Sequence, residues 1–148
     1  MKILKKIFTI ILILTILFLC FIIKIKKVDG DSMQPNLKNG DIFIYQTISK
    51  KPKRFDIVIV EVDNTLYIKR VIGLPGDTLE YKNNQLFIKN KKISEPYNRT
   101  KTKDFSLESP IPENQYLVLG DNRSKSYDGR AFGLISLNDI KGKLLIVL

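Results

Sequence analysis

The sequence predicts a mainly β protein, with one membrane-spanning helix at the N-terminus followed by an all-β domain that carries a small loop-rich subdomain. Three observations predict it. Ile7 to Ile23 is an unbroken run of 17 uncharged, mostly apolar residues with lysines on both sides. Beyond Val28 the chain changes to short runs rich in Ile, Val, Leu and Tyr. Asn, Asp, Gly and Pro separate those runs, as turns between strands require. A chain of 148 residues has room for one domain and one core.

The apolar run covers about 25 Å as a helix, slightly short of a hydrocarbon layer of about 30 Å. Lys24 then snorkels and Ile25 extends the apolar length, which puts the span at about residues 7–25 and the tail plus anchor at 1–27. A cleaved secretory signal also begins with lysines and an apolar stretch. Here no small residues with Ala-x-Ala spacing follow, since the run passes into Cys20-Phe21-Ile22-Ile23-Lys24, so a retained anchor is favoured. Lys2, Lys5 and Lys6 before the span balance Lys24, Lys26 and Lys27 after it, and charge alone hardly decides the orientation.

Residues 28–148 form the predicted β-domain. Strands are expected at Ile42 to Gln46, Asp56 to Val62, Leu66 to Ile72, Thr78 to Tyr81, Gln85 to Ile88, Gln115 to Leu119 and Lys143 to Val147. Asp63-Asn64 and Asn83-Asn84 read as tight hairpin turns, because Asn tolerates positive backbone angles. Between Asn90 and Asn114 the pattern dissolves into polar, proline-bearing sequence, the loop-rich part of a subdomain at about residues 82–114. Ser136 is placed to cap one helical turn through Asp139, with Gly142 ending it.

Composition excludes several functions. The net charge is +10, but six of the 25 basic residues flank the span, leaving +4 for the rest. That suits a surface near anionic lipid better than a nucleic-acid groove, and no nucleic-acid partner is expected. The single cysteine, Cys20, lies in the span, so no intramolecular disulfide and no cysteine metal site forms. No metal or cofactor is indicated. The chain has no histidine, which excludes Ser-His-Asp and Cys-His catalysis. Any hydrolase here needs another base.

Gly30-Asp31-Ser32-Met33-Gln34-Pro35 follows the span, where a turn presents a hydroxyl. By itself such a serine is usually a solvated turn residue. Lys69 sits in the apolar stretch Leu66 to Ile72, where burial would lower its pKa far enough for an amine to act as a base. Alternation sets Lys69 on one face with Tyr67 and Val71, opposite Ile68, Arg70 and Ile72, so one of the two basic neighbours is expected to point inward or sit at an edge. The bland alternative is an exposed edge lysine. Gly120-Asp121-Asn122-Arg123-Ser124-Lys125-Ser126-Tyr127-Asp128-Gly129-Arg130 is a dense polar loop suited to charge-assisted hydrogen bonds, with Ser126 able to orient an amine. A purely structural long turn is its bland reading.

Together, and in order, these segments resemble the bacterial type I signal peptidases (leader peptidases) over essentially the whole chain. Ser32-Met33-x-Pro35 resembles the nucleophile box, Tyr67 to Asp77 the lysine box, and Gly120 to Gly133 the third box. The resemblance implies a membrane-bound serine endopeptidase that removes signal peptides from exported preproteins after Ala-x-Ala-like sites. It implies Ser32 as nucleophile, Lys69 as general base and Ser126 as the residue holding the Lys69 amine. Asp121, Asp128 and Arg130 would organise the site, the Ser32 N–H would bind the oxyanion, and Met33 and Pro35 would contact substrate. Gly30 stands where some relatives carry a serine that adds a second oxyanion donor. Asn36, Phe55 and Gly129 also depart from the pattern, where threonine, Arg-Gly-Asp and serine respectively are usual.

The resemblance further implies a single-pass protein of the bacterial cell membrane, with a cytoplasmic N-terminus, an extracytoplasmic catalytic domain, and the lipid bilayer and secretion machinery as neighbours. Oligomeric state is left open. Ser32 lies eight residues beyond Lys24, close to the bilayer surface where a tethered precursor presents its cleavage site. The rival readings are a specialised relative with few precursors and an inactive anchored β-domain that binds envelope proteins. A soluble self-cleaving Ser/Lys regulator fits poorly with the anchor.

Overall fold

The computed structural model describes residues 2–47, 51–98 and 100–148, without the side chains of Leu17, Leu19 and Cys20. The N-terminal run forms helix α1 (Lys2–Ile22). Thr9 and Thr15 satisfy their hydroxyls within it, donating to the Lys5 and Ile11 carbonyls. Among the described residues no helix is long and apolar enough to cross a membrane.

The helix stops before Ile25. Ile23–Lys27 is strand β1, paired antiparallel with β2 (Ile42–Gln46) in the register Lys26 to Phe43. The alternation Ile-Lys-Ile-Lys has the two-residue period of a strand rather than a helical one. Ile23 to Ile25, expected to lengthen the span, therefore belong to the sheet.

The remaining strands are β3 (Ile57–Val62), β4 (Thr65–Gly73), β5 (Leu79–Lys82), β6 (Gln85–Ile88), β7 (Lys91–Ile93), β8 (Phe105–Ser106), β9 (Gln115–Leu119), β10 (Ile135–Ser136) and β11 (Ile140–Val147). Seven form one sheet in the order β1-β2-β11-β3-β4-β9-β10, and four form a second in the order β7-β6-β5-β8. All seven strands expected from the sequence are present, within a few residues. Asp63-Asn64 and Asn83-Asn84 take positive φ as expected, and Lys89-Asn90 does the same between β6 and β7. That third hairpin was hidden by a lysine at a position where Asn or Gly is usual. The excursion from Asn90 to Asn114 is not all loop, since β7 and β8 lie in it.

Ser136 caps a 3-10 turn at Leu137–Asp139 as expected. Gly142 does not end that turn. It lies inside β11, where a Cβ would come within 2.5 Å of the Tyr45 ring and 2.6 Å of the Gln46 carbonyl, so glycine permits close strand approach at a register shift.

Among the described residues beyond α1 the α-helical structure is one turn, α2 (Gly129–Phe132), capped by the Asp128 carboxylate. Gly129 packs on β9, where a Cβ would meet the Leu117 Cδ1 at 2.7 Å and the Val118 carbonyl at 2.8 Å. A backbone carbonyl in a paired strand cannot easily give way. Gly129→Ser is expected to lower stability by about 1–3 kcal/mol through overpacking, read from a urea denaturation midpoint. An unchanged midpoint would show that the loop yields.

Three clusters make the core. One joins the second sheet to Ile72, Ile111, Leu117 and Leu119. Another holds Val58, Val60, Val71, Tyr116 and Val118. The third, Val28, Met33, Leu37, Phe43, Tyr45 and Ile59, supports the turn that carries Ser32.

Candidate active site

Met33 is the reason the Ser32 turn is fixed. Its side chain is buried in the third cluster, and Leu37 N–H closes the turn on the Met33 carbonyl at 3.0 Å. From the other side the Asn122 N–H donates to the Ser32 carbonyl at 2.9 Å, and its side-chain amide donates to the Asp31 carbonyl at 3.2 Å. The Ser32 N–H makes no hydrogen bond among the described residues, leaving a donor beside the hydroxyl.

Lys69 comes from the middle of β4, opposite Val58, and is 2% exposed. Its Nζ stands 2.9 Å from Ser32 Oγ, 3.0 Å from the Ile68 carbonyl and 5.3 Å from the centre of the Tyr67 ring. Burial lowers its pKa from 10.5 to about 8, against the Asp128 and Asp121 carboxylates, which pull it up. Roughly a tenth of the amine is therefore neutral at pH 7. A protonated amine donates to Ser32 Oγ, whereas a neutral one offers a lone pair to the serine proton.

Arg70, on the opposite face of the strand, is also buried. The expectation that one of the two basic neighbours would face inward is thus exceeded, because both faces of β4 are covered. Arg70 forms a bidentate pair with Asp121, Nε to Oδ1 at 2.7 Å and Nη2 to Oδ2 at 2.6 Å, and donates to the Phe55 carbonyl at 2.9 Å. Its guanidinium lies 4.1 Å from the centre of the Tyr97 ring. Asn36 adds a 2.8 Å hydrogen bond to Asp121, which is the use this chain makes of an amide at that position. Phe55 has φ 72, a conformation glycine adopts more easily, and its ring packs on Tyr97 at 5.2 Å.

The third box closes over the dyad through Gly120. Asp128 accepts from Gly120 N–H at 3.0 Å and from Arg130 Nε and Nη2, both at 2.8 Å. Burial pushes the Asp128 carboxyl up, but the Arg130 and Gly120 hydrogen bonds prevail and hold it below the usual range. Arg123 donates to the Gly120 carbonyl at 2.9 Å and pairs with Glu95 at 2.6 Å. Glu95 also accepts from Tyr81 and Tyr97, tying the second sheet to the loop. Glu95 and Tyr97 were not singled out by the sequence, where Glu95-Pro96-Tyr97 reads as loop.

Ser126 sits against Gly120 beside the Ser32 backbone, and a Cβ at Gly120 would collide with its Oγ and come within 2.6 Å of the Ser32 carbonyl. The hydroxyl is near enough to favour the Asp128 charge, yet Oγ is buried without a hydrogen bond of acceptable geometry among the described residues. The implied Ser126 hydrogen bond to the Lys69 amine is not formed among the described residues. The Ile68 carbonyl holds the amine instead.

Ser32, Met33 and Lys69 line one cleft of ≈ 230 Å³ together with Val28, Phe43, Ile59 and Ile68. Pro35 is exposed, follows a cis peptide bond and does not line that cleft. Gly30 is also outside it, with φ 88 and its N–H donating to Asn39 Oδ1 at 3.1 Å. A wider cleft of ≈ 950 Å³ lies along residues 101–107 and 123–131, and neither Ser32 nor Lys69 lines it. No group of three or more potential metal-ligating His, Cys, Asp or Glu residues occurs among the described residues.

A serine hydroxyl against a buried lysine amine, in a chain without histidine, can carry acyl transfer. The comparisons agree with that chemistry. Residues 1–148 match the family model described as signal peptidase, peptidase S26. The chain is 40% identical over 145 residues to signal peptidase I S of Bacillus subtilis (strain 168), covering 88% of this chain and 79% of the relative. It is 37% identical over 167 residues to signal peptidase IB of Staphylococcus aureus (strain COL), covering 97% and 87%. Among solved structures, a signal peptidase I from Enterococcus faecalis V583 matches with a TM-score of 0.59 and 37% identity, over 65% of this chain and 98% of that one. Matched by that family model over residues 1–148 and by these relatives at 37–40% identity over most of its length, the chain belongs to the signal peptidase family, peptidase S26.

Proposed function

We propose that this protein is a signal peptidase I, a serine endopeptidase that removes N-terminal signal peptides from exported preproteins after Ala-x-Ala-like sites. The observation that carries the mechanism is the 2.9 Å contact between Ser32 Oγ and the buried Lys69 amine. Neutral Lys69 takes the serine proton as Oγ attacks the scissile carbonyl, the ammonium returns that proton to the departing amine as the C–N bond breaks, and the neutral amine then deprotonates the water that hydrolyses the acyl-enzyme. The Ser32 N–H faces the developing oxyanion. Asp121, Asp128 and Arg130 act on the site by fixing the backbone around Gly120, and Ser126 packs against Gly120 beside the Ser32 carbonyl. Met33 shapes the floor of the substrate cleft.

Residues 1–27 serve in this reading as a tail and single anchor in the bacterial cell membrane, and residues 28–148 as an extracytoplasmic catalytic domain. The support is the 17-residue apolar run in the sequence and a helix whose apolar side chains, such as Ile3, Phe8, Leu14 and Phe21, are exposed on every side. A helix apolar all round needs a non-aqueous setting. β1 leads straight from that helix into the main sheet, which would keep the dyad close to the lipid surface.

The test is cleavage of a precursor with an Ala-x-Ala site by detergent-solubilised protein, beside Ser32→Ala. Cutting after the second alanine by wild type alone supports the reading. Inactivity of both across a panel of precursors favours a narrow-specificity relative or a binding module.

Cleavage should also depend on pH in a definite direction. Only the neutral amine accepts a proton, so kcat is expected to rise about tenfold per unit below pH 8 and level off above it. A rate that stays flat from about pH 6 to about pH 9 would remove Lys69 as the base.

A further inference from the structure

β1 puts a charge where the apolar cleft meets solvent. In an antiparallel pair, directly opposed residues project from the same face, so the register of Lys26 with Phe43 sets both on one side of the sheet. Phe43 is buried beside Val28, Met33 and Ile59, and Lys26 joins these residues in lining the cleft that ends at Ser32 and Lys69. The Lys26 side chain is exposed and makes no ion pair or hydrogen bond among the described residues. Lys27 also lines the cleft, and its Cε would lie 3.7 Å from a Cβ at Gly40. The lone carboxylate in the lining, Asp29, is exposed and pairs with neither lysine. Lys27 follows Lys26 in the strand and projects from the opposite face, so the charge that overlooks the cleft is that of Lys26, above apolar walls that strengthen its field.

We infer that Lys26 is a specificity-determining residue, favouring precursors with a carboxylate side chain, and disfavouring those with a cation, in the few residues before the cleaved bond. This rests on the signal peptidase reading, which supplies the occupant: an extended segment with its scissile carbonyl at Ser32 Oγ. Such a segment advances about 3.3 Å per residue, and alternate side chains face opposite ways. Positions one and three before the bond are taken by the small residues of the Ala-x-Ala site. Positions two, four and five remain free to carry charge past the β1 wall.

The experiment uses the full-length solubilised protein and precursors that share one Ala-x-Ala site but carry Glu, Gln or Lys at position two, four or five. Relative kcat/KM is measured in competition for wild type, Lys26→Gln and Lys26→Glu, with Lys91→Glu as the same charge change on the second sheet. Wild type is expected to prefer the Glu form over the Lys form by about two- to five-fold at one or more of these positions, the range of an exposed ion pair. Lys26→Gln should flatten that preference and Lys26→Glu should invert it, while Lys91→Glu keeps it. Added salt should shrink it. A Glu-to-Lys ratio that is the same in wild type, Lys26→Gln and Lys26→Glu overturns the inference while leaving the peptidase reading in place. Failure of wild type to cut any precursor, the Gln forms included, overturns both.

Discussion

Replacing Lys69 with methionine is expected to cut cleavage by about 10³-fold or more while making the folded protein more stable. The loss follows from removing the base, since general base catalysis contributes about 10²–10⁴-fold and no histidine stands in for it. The gain follows from burial. A lysine whose pKa falls from 10.5 to about 8 carries a penalty of about 3 kcal/mol in the folded state at neutral pH. Methionine has similar length and no charge to desolvate, though it forfeits the contacts with Ser32 Oγ and the Ile68 carbonyl.

The sign can be followed with pH. The penalty is complete below pH 8, shrinks from there as the folded lysine loses its proton while the unfolded one keeps it, and vanishes above about pH 10.5. The stability difference between variant and wild type, measured by urea denaturation, should narrow over that window. A variant that is inactive but clearly less stable at neutral pH would show that the amine's hydrogen bonds outweigh its desolvation. Substantial cleavage by the variant would remove Lys69 from the mechanism.

Asp121→Ala is expected to be the most damaging single change to the fold, at about 3–5 kcal/mol. Asp121 is fully buried and takes both arms of Arg70, which is itself 9% exposed. Removing the carboxylate leaves a guanidinium inside the protein with only the Phe55 carbonyl and the Tyr97 ring for company. The double change Arg70→Leu with Asp121→Leu should recover much of the loss, because it removes both buried charges. Equal instability in the single and double variants would mean that shape at Asp121, including its bond from Asn36, matters more than charge pairing.

The two halves of the site differed in how much a linear reading reveals. Lys69 stands out because a charged residue in the middle of Leu66 to Ile72 breaks an apolar strand, and Ser32 because its motif follows the N-terminal run at short range. Asp121, Asp128 and Arg130 stand out because charge is dense in one loop. Glu95 and Tyr97 carry no such mark. Their roles come from contacts with Arg123 and Arg70, 28 and 27 residues away, across two sheets. The helix boundary was misplaced for a related reason. Ile23 and Ile25 have the hydropathy of a span, and β2 supplies the partner that draws them into the sheet.

From the sequence alone come the positions of seven strands, the hairpins at Asp63-Asn64 and Asn83-Asn84, the absence of histidine and the order of the three boxes. These are properties of local propensity and chemical inventory, which need no knowledge of what lies across the fold. Tertiary structure alone decided that Lys69 and Arg70 are both buried, that the Ile68 carbonyl rather than Ser126 holds the amine, and that Lys26 overlooks the cleft. Each depends on the dielectric surroundings and on partners brought near by strand pairing, and those exist only once the sheets have closed.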